Sequence, residues 1–309
     1  MKIILTHRAA SHASCEAALR TLLRRAEALA EQSAPPSLQA SLQIRLGLNI
    51  ERRCLMYYKI IELSPKTPSI SYDETKDLIW HFLCALECNG QILKNYKATQ
   101  NINFMLYVTT PKIDSLSECY DSVYVKNDRE KIGEYFNIQI KDCGIDLESQ
   151  EYCTCKTRSA MEMQTFRFDI DSVFTCCDCG KPVVLYELPY LEMREDHNDI
   201  QLWQDNYAAM DMLWLNCFCD RYTGNQRVKV NSALNKQGIE ITEYMSKQLG
   251  YPVYYHLECD YGKSIKEEKV GDQQTHICPK CGKLMKRVRF SEDHERDICE
   301  ECKLSYDAH

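Results

Sequence analysis

Cys278-Pro279-Lys280-Cys281 and Cys299-Glu300-Glu301-Cys302 are two C-x2-C pairs separated by seventeen residues. That spacing is a zinc-chelating pattern, because a tetrahedral Zn²⁺ takes four thiolates and a tight turn aims two sulfurs three positions apart at one ion. Gly282, directly after the second cysteine, lets the chain turn back without a Cβ clash. Cys278, Cys281, Cys299 and Cys302 are therefore read as the ligands of one zinc ion. A shell filled by four sulfurs has no open position, so the ion is expected to be structural and not catalytic.

Cys176-Cys177-Asp178-Cys179-Gly180 repeats the same turn, with Cys176 and Cys179 as the spaced pair and Cys177 as a bystander. It needs two more ligands. Cys153 and Cys155, about twenty residues upstream, are the first candidates, and a hairpin built on a strand at 165–169 would bring them across. Cys217 and Cys219 are the second candidates, and a turn held by packing alone is the bland reading. A redox dithiol is a further option, but no thioredoxin-like strand–helix context surrounds the pair. One structural Zn²⁺ is expected, or two if this second set closes.

Other side chains offer less. There is no phosphate-binding G-x-x-x-x-G-K-[ST] loop, G-x-G-x-x-G, H-E-x-x-H or G-x-S-x-G. His81 lies in an amphipathic stretch and His256 in a strand, each more consistent with packing than with proton transfer. Lys280, Lys283, Lys286, Arg287 and Arg289 cluster around the first knuckle and make a candidate nucleic-acid surface. The same segment carries Glu292, Asp293, Glu295, Asp297, Glu300 and Glu301, so only a segregated arrangement would give a useful positive field.

The elements that must position these groups follow from composition and pattern. The chain has 309 residues, 18 cysteines and a formal net charge of −7. It has no apolar run long enough to span a bilayer and no secretory signal, which points to a cytoplasmic protein holding its cysteines reduced, with no membrane partner. Composition breaks near residue 54: all nineteen tyrosines lie beyond it, and ten of the alanines precede it. Residues 1–55 thus read as an N-terminal extension, with Met56 as the expected native start. A tethered accessory helix and a targeting peptide are the alternatives.

From Met56 the pattern predicts a β-α-β-α-β domain over 56–150, with strands at 57–63, 104–109 and 136–141. Capping boxes at Ser71/Glu74 and Ser115/Glu118 are expected to open its two helices. A middle region, 151–262, holds the cysteine knuckle, strand candidates at 165–169 and 183–188, a long helix at 198–217, a helix at 239–249 and a strand at 253–257. The zinc ribbon closes the chain at 263–309. The fold class is α+β.

Residues 56–309 resemble a bacterial family of uncharacterised proteins described as zinc-ribbon proteins and nucleic-acid-binding candidates. The resemblance is carried by Met56-Tyr57, Asp114–Tyr120, Cys179–Pro189, Leu202-Trp203-Gln204, Leu213-Trp214, Leu234–Gly238, Tyr254–Leu257 and Gly262-Lys263-Ser264, followed by the four C-terminal cysteines. It implies Met56 as the start and the four cysteines as ligands. Where the family pattern places Trp after the first knuckle, this chain has Leu284. The function expected is a non-catalytic zinc-ribbon protein that binds nucleic acid. A protein-interaction adaptor with structural zinc is the alternative, and an enzyme of unknown reaction a third reading.

Overall fold

The computed structural model describes residues 56–66, 70–145, 151–166, 171–259, 267–270, 273–291 and 294–308. All of these lie in one unit, Cys54–His309. The extension expected at 1–55 falls outside the described residues.

The first half alternates apolar strands with amphipathic helices. β1 (Tyr57–Pro65) buries Ile61 and Leu63 on one face, as a period of two requires. Helix α1 (Tyr72–Cys88) starts at the expected capping box: the Glu74 N–H donates to Ser71 Oγ at 3.3 Å, and the Ser71 N–H donates to Glu74 Oε2 at 3.0 Å. Its buried stripe, Ile79, Phe82, Leu83 and Leu86, packs on the sheet. Asn89 caps the C-terminus, and Gly90 follows at φ +77°. A Cβ on Gly90 would sit 2.7 Å from Leu185 Cβ, so both the conformation and the packing call for glycine.

A strand unforeseen by pattern comes next. β2 (Lys97–Gln100) is exposed throughout and lacks apolar alternation, yet it pairs with β3 (Phe104–Thr110). The second capping box does not form. Ser115 is buried, with its Oγ accepting from the Lys112 N–H at 2.8 Å and 2.9 Å from Tyr186 Oη. A 3₁₀ turn at Glu118–Tyr120 intervenes, and α2 (Val123–Tyr135) is capped by Ser122, whose Oγ accepts from the Val125 N–H at 3.2 Å. β4 (Phe136–Ile145) completes an antiparallel sheet of order β2-β3-β1-β4. The connectivity is thus β-α-β-β-α-β, the split βαβ arrangement, in place of the expected five elements. Both helices cover one face, where Leu106, Val108, Val125 and Ile132 join the core.

The second half is a six-stranded sheet of order β10-β11-β12-β7-β5-β6. Its strands are β5 (Met161–Met163), β6 (Phe174–Cys176), β7 (Val253–His256), β10 (Lys286–Ser291), β11 (His294–Cys299) and β12 (Leu304–Asp307). β7 runs parallel to both β5 and β12, and the other neighbours are antiparallel. A separate hairpin pairs β8 (Glu267–Val270) with β9 (Gln273–His276). The boundary expected at 262/263 falls inside this architecture, since β7 precedes it and β12 follows it in one sheet.

Helices α3 (Asn198–Leu215), α4 (Asp220–Val228) and α5 (Ala233–Leu249) accompany this sheet. Trp203, Tyr207 and Met245 meet Met161, Val253, Tyr255 and Leu304 in one core. Gly238 permits the contact: a Cβ there would lie 2.2 Å from the Tyr255 ring and 2.9 Å from Trp203 Nε1. The expected strand at 183–188 is instead an isolated bridge at Pro182 followed by a 3₁₀ turn, Leu185–Glu187. Of the strand expected at 165–169, residues 167–169 lie outside the described residues; the described hairpin pairs β5 with β6. No described helix is long and apolar enough to cross a membrane.

Candidate metal centres

The six-stranded sheet carries a cysteine knuckle at each end. On the β11–β12 side, the Cys278 N–H donates to Lys283 O at 2.8 Å and the Gly282 N–H donates to Cys278 O at 2.9 Å. Gly282 sits at φ +74°, the left-handed conformation this turn needs. β11 delivers Cys299 at its last position, and the turn to Cys302 closes with the Cys302 N–H donating to Cys299 Sγ at 3.4 Å. Lys303 takes the left-handed position at φ +54° without being glycine.

The four sulfurs of Cys278, Cys281, Cys299 and Cys302 lie within 4.8 Å of one another, and Cys281 Sγ is 3.7 Å from Cys299 Sγ. A tetrahedron with metal–sulfur bonds of about 2.3 Å has edges of about 3.8 Å, so the four sulfurs lie close enough together that they could hold one metal ion.

The second knuckle copies the first bond for bond. The Cys176 N–H donates to Lys181 O at 2.9 Å, the Gly180 N–H to Cys176 O at 2.8 Å, and Gly180 is at φ +68°. The two turns share the sequence Cys-x-x-Cys-Gly-Lys. β6 ends on Cys176, while the Cys153 N–H donates to Pro182 O at 2.8 Å and so lays the Cys153–Cys155 segment beside the turn. Cys153, Cys155, Cys176 and Cys179 also bring their sulfurs within 4.8 Å of one another. Cys177 packs instead with Ala160, Tyr254 and Ile298. Cys217 and Cys219 are exposed, at φ +52° and +56°, and join neither group.

The electrostatics of the two groups differ in detail. Burial pushes Cys299 and Cys179 each up to about 11, and it raises Cys176 and Cys302 as well. Cys281 is held below the ordinary thiol value, chiefly by the backbone N–H of Lys283. At Cys153 burial acts upward, but the Arg158 Nε–H at 3.4 Å and the Cys155 N–H outweigh it and leave the thiol lowered. Two groups of four sulfurs in these shells could each hold a metal ion, and all-sulfur tetrahedra suit zinc or iron–sulfur chemistry better than hard cations.

The five candidate cations are interleaved with acids. Lys280 pairs with Glu243 at 2.9 Å, Lys283 with Glu301, Lys286 with Glu300 at 3.3 Å, Arg287 with Asp297 at 2.9 Å and Arg289 with Glu295 at 3.2 Å. The segregated basic face that nucleic-acid recognition would use is not what these residues form.

Between the two knuckles, the face of the sheet away from Trp203 holds a buried charge network that pattern reading missed. Glu162 accepts from Arg296 Nε at 3.0 Å and from Ser305 Oγ at 2.7 Å, and its other oxygen lies 3.2 Å from His294 Nε2. His256 Nδ1 is 3.6 Å from the same carboxylate, and Arg296 also reaches Asp307 at 2.9 Å. Burial alone would raise the Glu162 carboxyl; Arg296 and the two histidines overcome it and hold it well below the usual range. The one sequence signal was an acid between two methionines in a strand.

Residues 155–258 match the model of a domain of unknown function (DUF2310), and residues 56–141 match that of another domain of unknown function (DUF8589). The second match spans the first sheet; the first spans Cys155, the 176–179 knuckle and the three helices. The chain is similar to an uncharacterised protein of Haemophilus influenzae, 26% identical over 232 residues, covering 70% of this chain and 84% of that relative. A second uncharacterised protein of Haemophilus influenzae is 29% identical over 109 residues, covering 34% of this chain and 50% of the relative. No solved structure matches.

Proposed function

We propose that this chain is a non-catalytic binding protein whose second half is organised by two structural zinc ions, one held by Cys278, Cys281, Cys299 and Cys302 and the other by Cys153, Cys155, Cys176 and Cys179. The observation that carries the reading is the convergence of both sulfur sets on turns with the same hydrogen bonds. Each set offers four thiolates, which complete a tetrahedral shell and leave no position for substrate or water. The zinc ions then fix loops at the two ends of one sheet. Thiolate ligation of this kind belongs to a reducing compartment, and we assign the protein to the cytoplasm on that ground.

The partner reading follows the charges. Ion pairing of Lys280, Lys283, Lys286, Arg287 and Arg289 supports a mixed-charge surface at the C-terminal hairpin, which suits a protein contact better than a phosphate backbone. Elemental analysis of the purified chain tests the metal reading. Two zinc ions per chain are expected, falling to one in Cys281→Ser and to one in Cys179→Ser. Metal content unchanged by either substitution, or absent from the wild type, would overturn it.

A further inference from the structure

We infer that the face of the first sheet opposite its helices, on β1 and β3, is a binding platform for single-stranded nucleic acid. The inference rests on geometry outside both metal centres and stands or falls separately from them.

Helices α1 and α2 cover one face of this sheet, burying Ile61, Leu63, Leu106 and Val108. The alternate residues of β1 and β3 must therefore face the other way. They include Tyr58 and Tyr107, large aromatics that are each 44% exposed on the two central strands. Tyr58 pairs with Thr109 and Ile60 with Tyr107, so the two tyrosines are diagonal neighbours across the β1–β3 ladder. One cross-strand row runs over all four strands as Lys97, Tyr107, Ile60 and Lys141. An aromatic and an aliphatic side chain occupy its centre, and an exposed lysine stands at each edge.

This is the arrangement by which four-stranded sheets read unpaired bases: aromatics on the central strands stack on two or three bases, while cations at the edges meet the phosphates. The acid on this face, Glu62, is already engaged by Lys141 and by Asn103 Nδ2 at 2.6 Å, so its charge is offset where the strand would pass. Thr99 and Gln139, both exposed, add polar groups at the rim. A second copy of the chain is a poorer fit, because the rim is charged and polar and the apolar centre is small. Double-stranded nucleic acid is also a poorer fit, because its bases are stacked on one another and offer these rings no free face. With Lys141 already paired with Glu62, Lys97 is the edge cation left to meet phosphate, and the salt dependence should be shallow, a slope of about −0.7 in log K against log [salt].

The test is fluorescence anisotropy of the full chain with labelled eight-nucleotide oligo-rU and oligo-dT, and with a duplex of the same length. Binding of one or both single strands is expected, with the rU and dT arms distinguishing RNA from DNA preference. Tyr58→Ala and Tyr107→Ala should each weaken it by about 5- to 150-fold, and Tyr107→Phe should retain it. Lys97→Glu should weaken it several-fold, whereas Lys283→Ala with Lys286→Ala should leave it unchanged. Hydrogen-exchange protection of β1, β3 and α1 equal to wild type in the tyrosine variants excludes misfolding as the cause. No single-strand binding, tighter binding of the duplex, or binding lost with the Lys283 and Lys286 pair but kept by the tyrosine variants would overturn the inference.

Discussion

Glu162 is the residue on which the second sheet's polar face depends. Its carboxylate joins β5 to β11 and β12 through Arg296, His294 and Ser305, all buried. Replacing one member strands the others in a low-dielectric interior, so Arg296→Met should cost about 3–5 kcal/mol, measured by urea unfolding. The pH dependence has two limbs. Glu162 is depressed from 4.5, so its stabilisation is complete above about pH 4.5 and is lost as pH falls towards its folded value. His256 lies the other way. Burial lowers it, but Asp307 and Glu162 raise it above 6.5 against the opposing charge of Arg296. Its contribution is complete below about pH 6.5 and is lost as pH rises through the raised value. Stability from this network should therefore peak between about pH 4.5 and 6.5, and Glu162→Gln should flatten the acid limb in denaturation midpoints taken from about pH 6.5 to below pH 4.5.

At the scale of elements, the helix-to-sheet contact in the second half is set by one glycine. In an exposed helix interior, Gly→Ala usually stabilises by about 1 kcal/mol. Gly238 reverses the sign, because the new methyl would enter the Tyr255 ring and push α5 off the sheet. Gly238→Ala should destabilise by about 1–3 kcal/mol in thermal or urea unfolding, with near-ultraviolet changes from Trp203 and Tyr255. The elements themselves were legible to different degrees. Strong periodicity and a complete capping box at Ser71/Glu74 made α1 plain. β2 had no alternation to read, since an edge strand exposed on both faces needs none. Ser115/Glu118 had the right letters for a cap, but burial of Ser115 against Tyr186 draws its hydroxyl elsewhere, and Ser122 takes over the capping.

Across the whole molecule the two halves differ in what holds them. The first sheet encloses a continuous apolar core containing none of the eight candidate ligands, while Cys153, Cys176, Cys278, Cys299 and Cys302 sit in the core of the second. Zinc removal should therefore loosen the second half first. Hydrogen exchange after chelation is expected to show lost protection over β5–β6 and β10–β12, with β1, β3 and α1 still protected. Equal loss everywhere would show that the halves unfold together. The sequence by itself marked the C-terminal cysteines as a set that could hold a metal ion, because each C-x2-C pair aims two sulfurs to one side of a tight turn from local geometry alone. It also marked Cys176 and Cys179 as half of a second set. Only the tertiary structure decided that Cys153 and Cys155 complete that set over Cys217 and Cys219, because a hydrogen bond from Cys153 to Pro182 depends on how distant segments pack. The same holds for the charges near the C-terminus. Composition counts them, but which cation meets which acid is a matter of packing: β10–β11 register sets Arg287 opposite Asp297 and Arg289 opposite Glu295, while Lys280 reaches Glu243 on helix α5.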